Sequence, residues 1–236
     1  MNNTVIKNKT AVIIPAGGAS LRFGGGQKKQ FVTLNGRPVV NHSIAAFINH
    51  PAVTEIVVCL PKEDLDHPEI IHDKKIRRVE GGGTRSSSVH KGFSHLTNTD
   101  DNTVVLIHDA ARPILSRCLI DAVIEATLKG GAAIPVTRLT DTIKEVDDHK
   151  TVIKTLNREH LRAVQTPQGF LYGILNKAYR FPAFDDPRYT DEALLVEETG
   201  QTVSVVDGER ENIKITNQFD LKVAEAILSR TWGGLP

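Results

Sequence analysis

Cysteine is scarce in this 236-residue sequence, which has only Cys59 and Cys118. Two thiols so far apart give neither a disulfide framework nor a paired metal-ligand spacing, which excludes a disulfide-stapled secreted scaffold and a zinc ribbon. Both lie in apolar or helical-looking segments and are expected to be buried thiols in a reducing compartment. An excess of one charge is also missing, since 29 basic residues face 28 acidic ones. No overall basic field is available to hold nucleic acid, so any anion site must be local. No stretch approaches the roughly 18 apolar residues needed to cross a bilayer, and "MNNTVIKNKT" has no apolar core of secretory length. The expectation is a cytoplasmic protein with neither membrane nor nucleic-acid partners. The nine histidines show no metal-ligand spacing of two on one helical turn with a nearby acid. Two phosphate-binding patterns are absent as well. No Gly-Lys-Ser/Thr completes a P-loop, and "GGASLRFG" puts Ser20 and Arg22 where a dinucleotide fingerprint would open a helix.

What is present is alternation. Apolar, β-branched runs recur as "TAVIIPA", "TEIVVCL", "KKIRRVE", "TVVLIHDA" and "GGAAIPVT", with helical patterns between them. Strands alternating with helices predict an α/β fold, a Rossmann-like and mostly parallel sheet flanked by helices. In "RPVVNHSIAAFINH" the stripe Val40, Ile44, Phe47 and Ile48 faces one way. In "SRCLIDAVIEATLKGG" the stripe is Leu119, Val123, Ile124 and Leu128, followed by a glycine stop. Residues 137–163 break the rhythm, alternating polar and β-branched residues around "VDDHK". They read as a β-hairpin arm leaving the sheet, with little core of its own and a second copy of the chain as its cheapest partner surface. "NQFDLKVAEAILSR" returns to helical period. With 40% hydrophobic residues and no repeat or low-complexity linker, residues 1–236 are expected to form one domain.

Ligands of an open parallel sheet bind beyond the carboxyl ends of its strands. Here those ends read "PAGGASLRFGGGQKK", "EGGGTRSSS", "HDAARP" and "PVTRLTDT". Glycines admit backbone N–H groups close to a phosphate, and lysine and arginine neutralise it. Four such ends together suggest a nucleoside triphosphate site. Each also has a structural alternative. Lys28 and Lys29 could be a solvated pair, Asp109 a helix cap paired with Arg112, and Ser86, Ser87 and Ser88 a helix start with one serine as its cap. His108 reads as a packed strand-end histidine rather than a base.

"IIPAGGASLRFG" with "KKQF", then "EGGGTRSSSV", "IHDAARP", "DTIK", "NREHLRAVQTPQGF", "TDE" and "NIKIT" resemble, in order and spacing, the 2-C-methyl-D-erythritol 4-phosphate cytidylyltransferases. The resemblance runs from about Thr10 to Arg230. It implies an enzyme that joins CTP to methylerythritol phosphate with Mg2+, releasing pyrophosphate, in isoprenoid precursor biosynthesis. It implies Arg22 and Lys29 as the cations that stabilise charge on the α-phosphate and leaving group. Ala16, Gly17, Gly18, Gly82, Arg85, Ser88 and Ala110 match nucleotide-binding positions, and Asp109 matches the metal-side carboxylate. Arg158, Thr166, Thr190, Lys214 and Arg112 match acceptor-binding positions. In this family the arm swaps across a homodimer, so Arg158 is expected to serve the partner's site.

The chain departs from the family pattern "PAAG-x-G-x-R-M-G" at Gly17, Ser20 and Phe23. Gly83 stands where relatives often carry a polar residue, and Lys28 where they often have proline. These changes bear on CTP affinity more than on the reaction. A ribitol 5-phosphate cytidylyltransferase is the nearest alternative, but that pattern tends toward "HDSVRP" and lacks "NRE" before "QTPQ". A nicotinamide-dependent oxidoreductase would need an intact glycine fingerprint and an acid ending the second strand. A non-catalytic nucleotide-binding domain could dispense with cations that are all present here.

Overall fold

The computed structural model describes residues 9–17, 28–180, 186 and 188–232. Its strands and helices follow the sequence periods. β1 (Thr10–Pro15) leads, past a 3-10 turn at Lys29–Phe31, to the short ribbon β2 (Thr33–Leu34) and β3 (Arg37–Pro38). Asn35 and Gly36 connect that ribbon at φ 46° and 76°, the two positive values that a tight two-residue hairpin turn requires and Asn-Gly supplies. α1 (Val39–Ile48), β4 (Val53–Leu60), β5 (Ile76–Glu80), α2 (Arg85–Ser94), β6 (Val104–Ile107), α3 (Arg117–Gly130) and β7 (Ala132–Arg138) complete the alternating part. Then come β8 (Lys144–Val146), β9 (Val152–Thr155), β10 (Arg162–Val164), β11 (Gln168–Leu171), α4 (Tyr172–Ala178), α5 (Glu192–Glu197), β12 (Ser204–Asp207) and α6 (Gln218–Trp232).

The main sheet runs β10-β7-β11-β6-β1-β4-β5, with β12 also paired to β7. β6, β1, β4 and β5 are parallel neighbours, whereas β11 is antiparallel to both β6 and β7. The expected mostly parallel sheet therefore carries an antiparallel insertion. Successive side chains take opposite faces, as the two-residue period of a strand dictates. Val12, Ile14, Val58, Leu60 and Leu106 pack with α1 and α3 through Ile44, Phe47, Ile120, Val123 and Ile124. Ile13, Val57, Cys59, Val105 and Ile107 pack on the other face with Val89, Phe93, Leu175 and Val196. α2 lies so close that a Cβ on Gly92 would meet Cys59 Sγ and Ile13 Cγ2 at 2.7 Å each. Substituting Gly92 would push the helix off the sheet.

Caps and stops set the helix ends. Ser116 Oγ accepts from the Leu119 N–H at 3.0 Å to open α3, and Gly131 closes it at φ 85°. Because α3 buries Leu119, Ile120, Val123, Ile124 and Thr127, Cys118 falls on the outer side and is exposed. The expectation of two buried thiols thus holds for Cys59 and fails for Cys118. The arm exists as the β8–β9 hairpin. Asp147 Oδ1 accepts from the N–H groups of His149 and Thr151 at its turn. All seven of its strand residues are exposed, Val146, Val152 and Ile153 among them at 54–57%. It leaves and rejoins the sheet where Arg138 stands opposite Arg162.

Candidate active site

The carboxyl ends of β1, β5 and β6 open onto one cleft of about 200 Å³. Its lining includes Ala16, Gly17, Lys29, Gly82, Arg85, Ser88, Asp109, Ala110 and Lys214. Residues far apart in sequence therefore share one wall, as strand ends in a parallel sheet must. Three of the four strand ends singled out from sequence line it. The end of β7 instead runs into the arm.

α2 presents its N-terminus to this cleft, and no acid occupies its first turn, so unsatisfied N–H groups and the positive end of the helix dipole face the ligand space. Its cap is Thr84, whose side chain accepts from the Ser87 N–H at 3.0 Å while Ser87 Oγ accepts from the Thr84 N–H at 2.9 Å. The serines therefore open the helix without supplying the cap itself. Ser88 organises the preceding loop: its Oγ accepts from the Gly82 N–H at 2.9 Å and donates to the Thr84 carbonyl at 2.8 Å. A Cβ on Gly82 would come within 2.1 Å of Ser87 Oγ, so the loop takes this path only with glycine there. No atom lies within 4 Å of a Cβ built on Gly83, which leaves the departure from family pattern at that position sterically open.

Four charges form the floor. Asp109 Oδ1 accepts from Arg85 Nε at 2.9 Å, and Oδ2 pairs with Lys214 Nζ at 2.7 Å. The other side of the Arg85 guanidinium reaches Glu192 Oε2 at 2.8 Å. Burial penalises the Asp109 charge, but Arg85 and then Lys214 overcome it and hold the carboxyl well below the usual range. Burial likewise works against the Arg85 charge, and Glu192 and Asp109 more than offset it, raising its pKa. For Glu192, burial pushes the carboxyl up and Arg85 only partly pulls it back. Arg85 and Lys214, rather than Arg112, are the ion-pair partners of Asp109.

Several residues matched to acceptor positions stand outside the cleft wall. Thr166 is buried beneath Asp109, its Oγ1 accepting from the Asp109 N–H at 3.1 Å and bonded to His108 Nδ1 at 3.0 Å. Arg112 directs both Nη groups to backbone, with Nη1 on the Asn212 carbonyl at 2.6 Å and Nη2 on the Val164 carbonyl at 3.3 Å. Arg158, on the arm's 3-10 turn, donates to the Thr140 carbonyl. Thr190 is exposed, and its N–H donates to the Arg188 carbonyl at 3.0 Å. Arg22 and Gly18, with Ser20 and Phe23, lie outside the described residues. Lys28 pairs with Glu63 at 2.7 Å and Asp64 at 2.5 Å, while Lys29 lines the cleft. His108 is fully buried, its Nε2 against the Arg112 carbonyl at 3.0 Å, and burial lowers its pKa to about 4. A neutral, packed imidazole is the expected strand-end histidine.

Glu192 was not marked out by the sequence as a site residue, although its "TDE" context was. Its neighbour Asp191 caps α5 by accepting from the Leu194 N–H at 3.1 Å, which places Glu192 in the first turn and 2% exposed. Among the described residues no three His, Cys, Asp or Glu side chains cluster as metal ligands, and no helix is long and apolar enough to cross a membrane.

Known proteins give this geometry a context. The family model for 2-C-methyl-D-erythritol 4-phosphate cytidylyltransferase matches residues 10–230. A protein of that name from Frankia casuarinae is 41% identical over 96% of this chain and 84% of its own. Another from Alkaliphilus metalliredigens is 38% identical over 97% of each chain. The crystal structure of 2-C-methyl-D-erythritol 4-phosphate cytidylyltransferase from Francisella tularensis superposes with a TM-score of 0.82 at 32% identity, covering 93% of this chain and 99% of that one. That of 4-diphosphocytidyl-2C-methyl-D-erythritol synthase from Anaerococcus prevotii gives the same TM-score and identity over 94% and 97%.

Proposed function

The chain belongs to the 2-C-methyl-D-erythritol 4-phosphate cytidylyltransferase family, and from that premise we propose that it transfers the cytidylyl group of CTP to 2-C-methyl-D-erythritol 4-phosphate. The observation that carries this reading is the cleft itself, where Lys29, Arg85, Lys214 and the N-terminus of α2 surround Asp109 at the carboxyl end of a parallel sheet. An acceptor phosphate oxygen attacks the α-phosphorus of CTP in line. One P–O bond forms, the α–β P–O bond breaks, and pyrophosphate leaves with its electron pair. An ionised phosphate needs no general base, so the protein's tasks are alignment and stabilisation of charge. Lys29 serves the α-phosphate, with Arg22 as the second cation. The glycines at 17 and 82, with Ala16, Ser88 and Ala110, let the nucleotide approach the backbone.

Asp109 is the residue that would hold a hard divalent cation, since it is the one carboxylate lining the cleft among the described residues. A lone carboxylate matches Mg2+, whose remaining positions would be phosphate oxygens and water. Bound there, Mg2+ would neutralise charge on the triphosphate. The exposed arm suits a homodimer, since Val146, Val152 and Ile153 are apolar side chains more than half exposed, and Arg158 would then reach the partner's acceptor site. The test is pyrophosphate release from CTP and Mg2+ with methylerythritol 4-phosphate and, in parallel, ribitol 5-phosphate. Release with the first alone is expected. Release only with ribitol 5-phosphate would overturn the acceptor, and silence with both would overturn the reaction.

A further inference from the structure

The two oxygens of Asp109 are held by unlike partners. Arg85 is fixed at both ends, its Nε on Asp109 Oδ1 at 2.9 Å and its Nη1 on Glu192 Oε2 at 2.8 Å, with the Glu192 side chain 2% exposed. Lys214 approaches Oδ2 at 2.7 Å, but its side chain is 40% exposed. Its backbone is secured next door, where the Ile215 N–H donates to the Ala111 carbonyl at 2.8 Å. Lys214 thus has a fixed root and a head that borders water, four rotatable bonds away. Asp109 is the one carboxylate lining the cleft among the described residues. A divalent cation taking Oδ2 would stand only a few ångströms from an ammonium left on the same oxygen, and at that range the two like charges repel.

We propose that the Lys214 ammonium and the divalent cation are alternative occupants of Asp109 Oδ2. Without the cation, Lys214 closes the carboxylate. When the cation arrives with the triphosphate, Lys214 is displaced and its charge is released toward the acceptor phosphate. Arg85 stays, because Glu192 anchors it, and keeps the carboxylate oriented throughout. The chain therefore offers its acceptor-binding cation only once the metal and nucleotide are in place, and the cation and acceptor tighten each other through Lys214. This exchange rests on the cytidylyltransferase reading.

The test is calorimetric titration of Mn2+ into the full chain saturated with α,β-methylene-CTP, with and without methylerythritol 4-phosphate. Without acceptor, Lys214→Gln is expected to bind Mn2+ about fivefold tighter or more than wild type, the lower end of ordinary coupling between sites. That gain should vanish in an Asp109→Asn background. In wild type the acceptor should tighten Mn2+, and in Lys214→Gln that tightening should shrink. Lys214→Met repeats the series with no hydrogen-bonding head. Unchanged or weaker Mn2+ binding in both Lys214 variants overturns the exchange, as does a gain that survives Asp109→Asn or an acceptor effect equal in variant and wild type. Pyrophosphate release by the same wild-type preparation separates the two readings. Release with unaltered Mn2+ affinities sinks the exchange alone, whereas no release removes the reaction and the exchange with it.

Discussion

Removing the Glu192 carboxylate tests the floor of the cleft directly. Glu192 is 2% exposed and pairs with Arg85 at 2.8 Å. Taking away one partner of a buried pair leaves the other charge uncompensated and costs roughly 3–5 kcal/mol. Arg85 retains Asp109 at 2.9 Å and has a quarter of its side chain exposed, so water and the second carboxylate relieve part of that penalty. The low end, about 3 kcal/mol, is the appropriate figure for Glu192→Ala. In a chain of this size each kcal/mol moves Tm by roughly 2–4 °C, so Tm should fall by roughly 6–12 °C. Glu192→Gln keeps an oxygen to accept from Arg85 and removes only the charge, and should lose less than half as much. Thermal unfolding followed by circular dichroism, with chemical denaturation as a check, reads both variants. A Glu192→Ala Tm within about 2 °C of wild type would refute the reasoning, since it would mean that the pair is hydrated or that Arg85 relaxes at no cost.

Lys29→Ala should lower kcat about 100-fold or more while leaving Tm nearly unchanged, the expected loss of one electrostatic stabiliser; near-wild-type turnover would remove Lys29 from the reaction. His108 has a folded pKa of about 4 against about 6.5 unfolded, so between those values the unfolded chain binds more protons and stability falls as pH drops through that window, by roughly 3 kcal/mol in all. His108→Gln should flatten that slope in urea titrations at pH 4.5 and 7, and an equal slope in both proteins would contradict a buried neutral ring. Cys118 is exposed, whereas Cys59 is buried, with burial pushing its thiol up to about 12. A thiol reagent should therefore modify one cysteine in the native protein and two in urea, and the Cys118→Ala variant should be inert when folded.

The local layers of this fold were legible because their signals are local. The stripe of Leu119, Val123 and Ile124 predicts which face of α3 is buried, and all three are in the core. The same phase puts Cys118 outside, a signal that an apolar neighbourhood masks. β11 is only four residues, "QGFL", too short and too mixed to mark a strand or its direction, so its antiparallel entry between β6 and β7 could not be read from the sequence. Thr166 and Arg112 enter the acceptor set only through the family resemblance, because residue chemistry alone cannot distinguish a hydroxyl or guanidinium aimed at a phosphate from one holding the protein's own backbone. In this structure Thr166 accepts from the Asp109 N–H and Arg112 donates to backbone carbonyls. The Arg85–Glu192 contact joins residues 107 positions apart, and no periodicity or spacing reports on such a pair.

The charge balance of the floor connects these layers to the near-neutral composition. Asp109 and Glu192 cancel Arg85 and Lys214, so the four side chains sum to zero. The N–H groups at the start of α2, which carries no acid in its first turn, add positive potential to the cleft beyond these four. In the proposed exchange, a polyanion attracted by those groups would bring its own counter-cation, and a cation at Asp109 would set the charge of Lys214 free. A site that stored all its cations unpaired would repel such a cation. Pairing them with carboxylates keeps the cleft open to a divalent cation, and makes the positive charge available where the anions arrive.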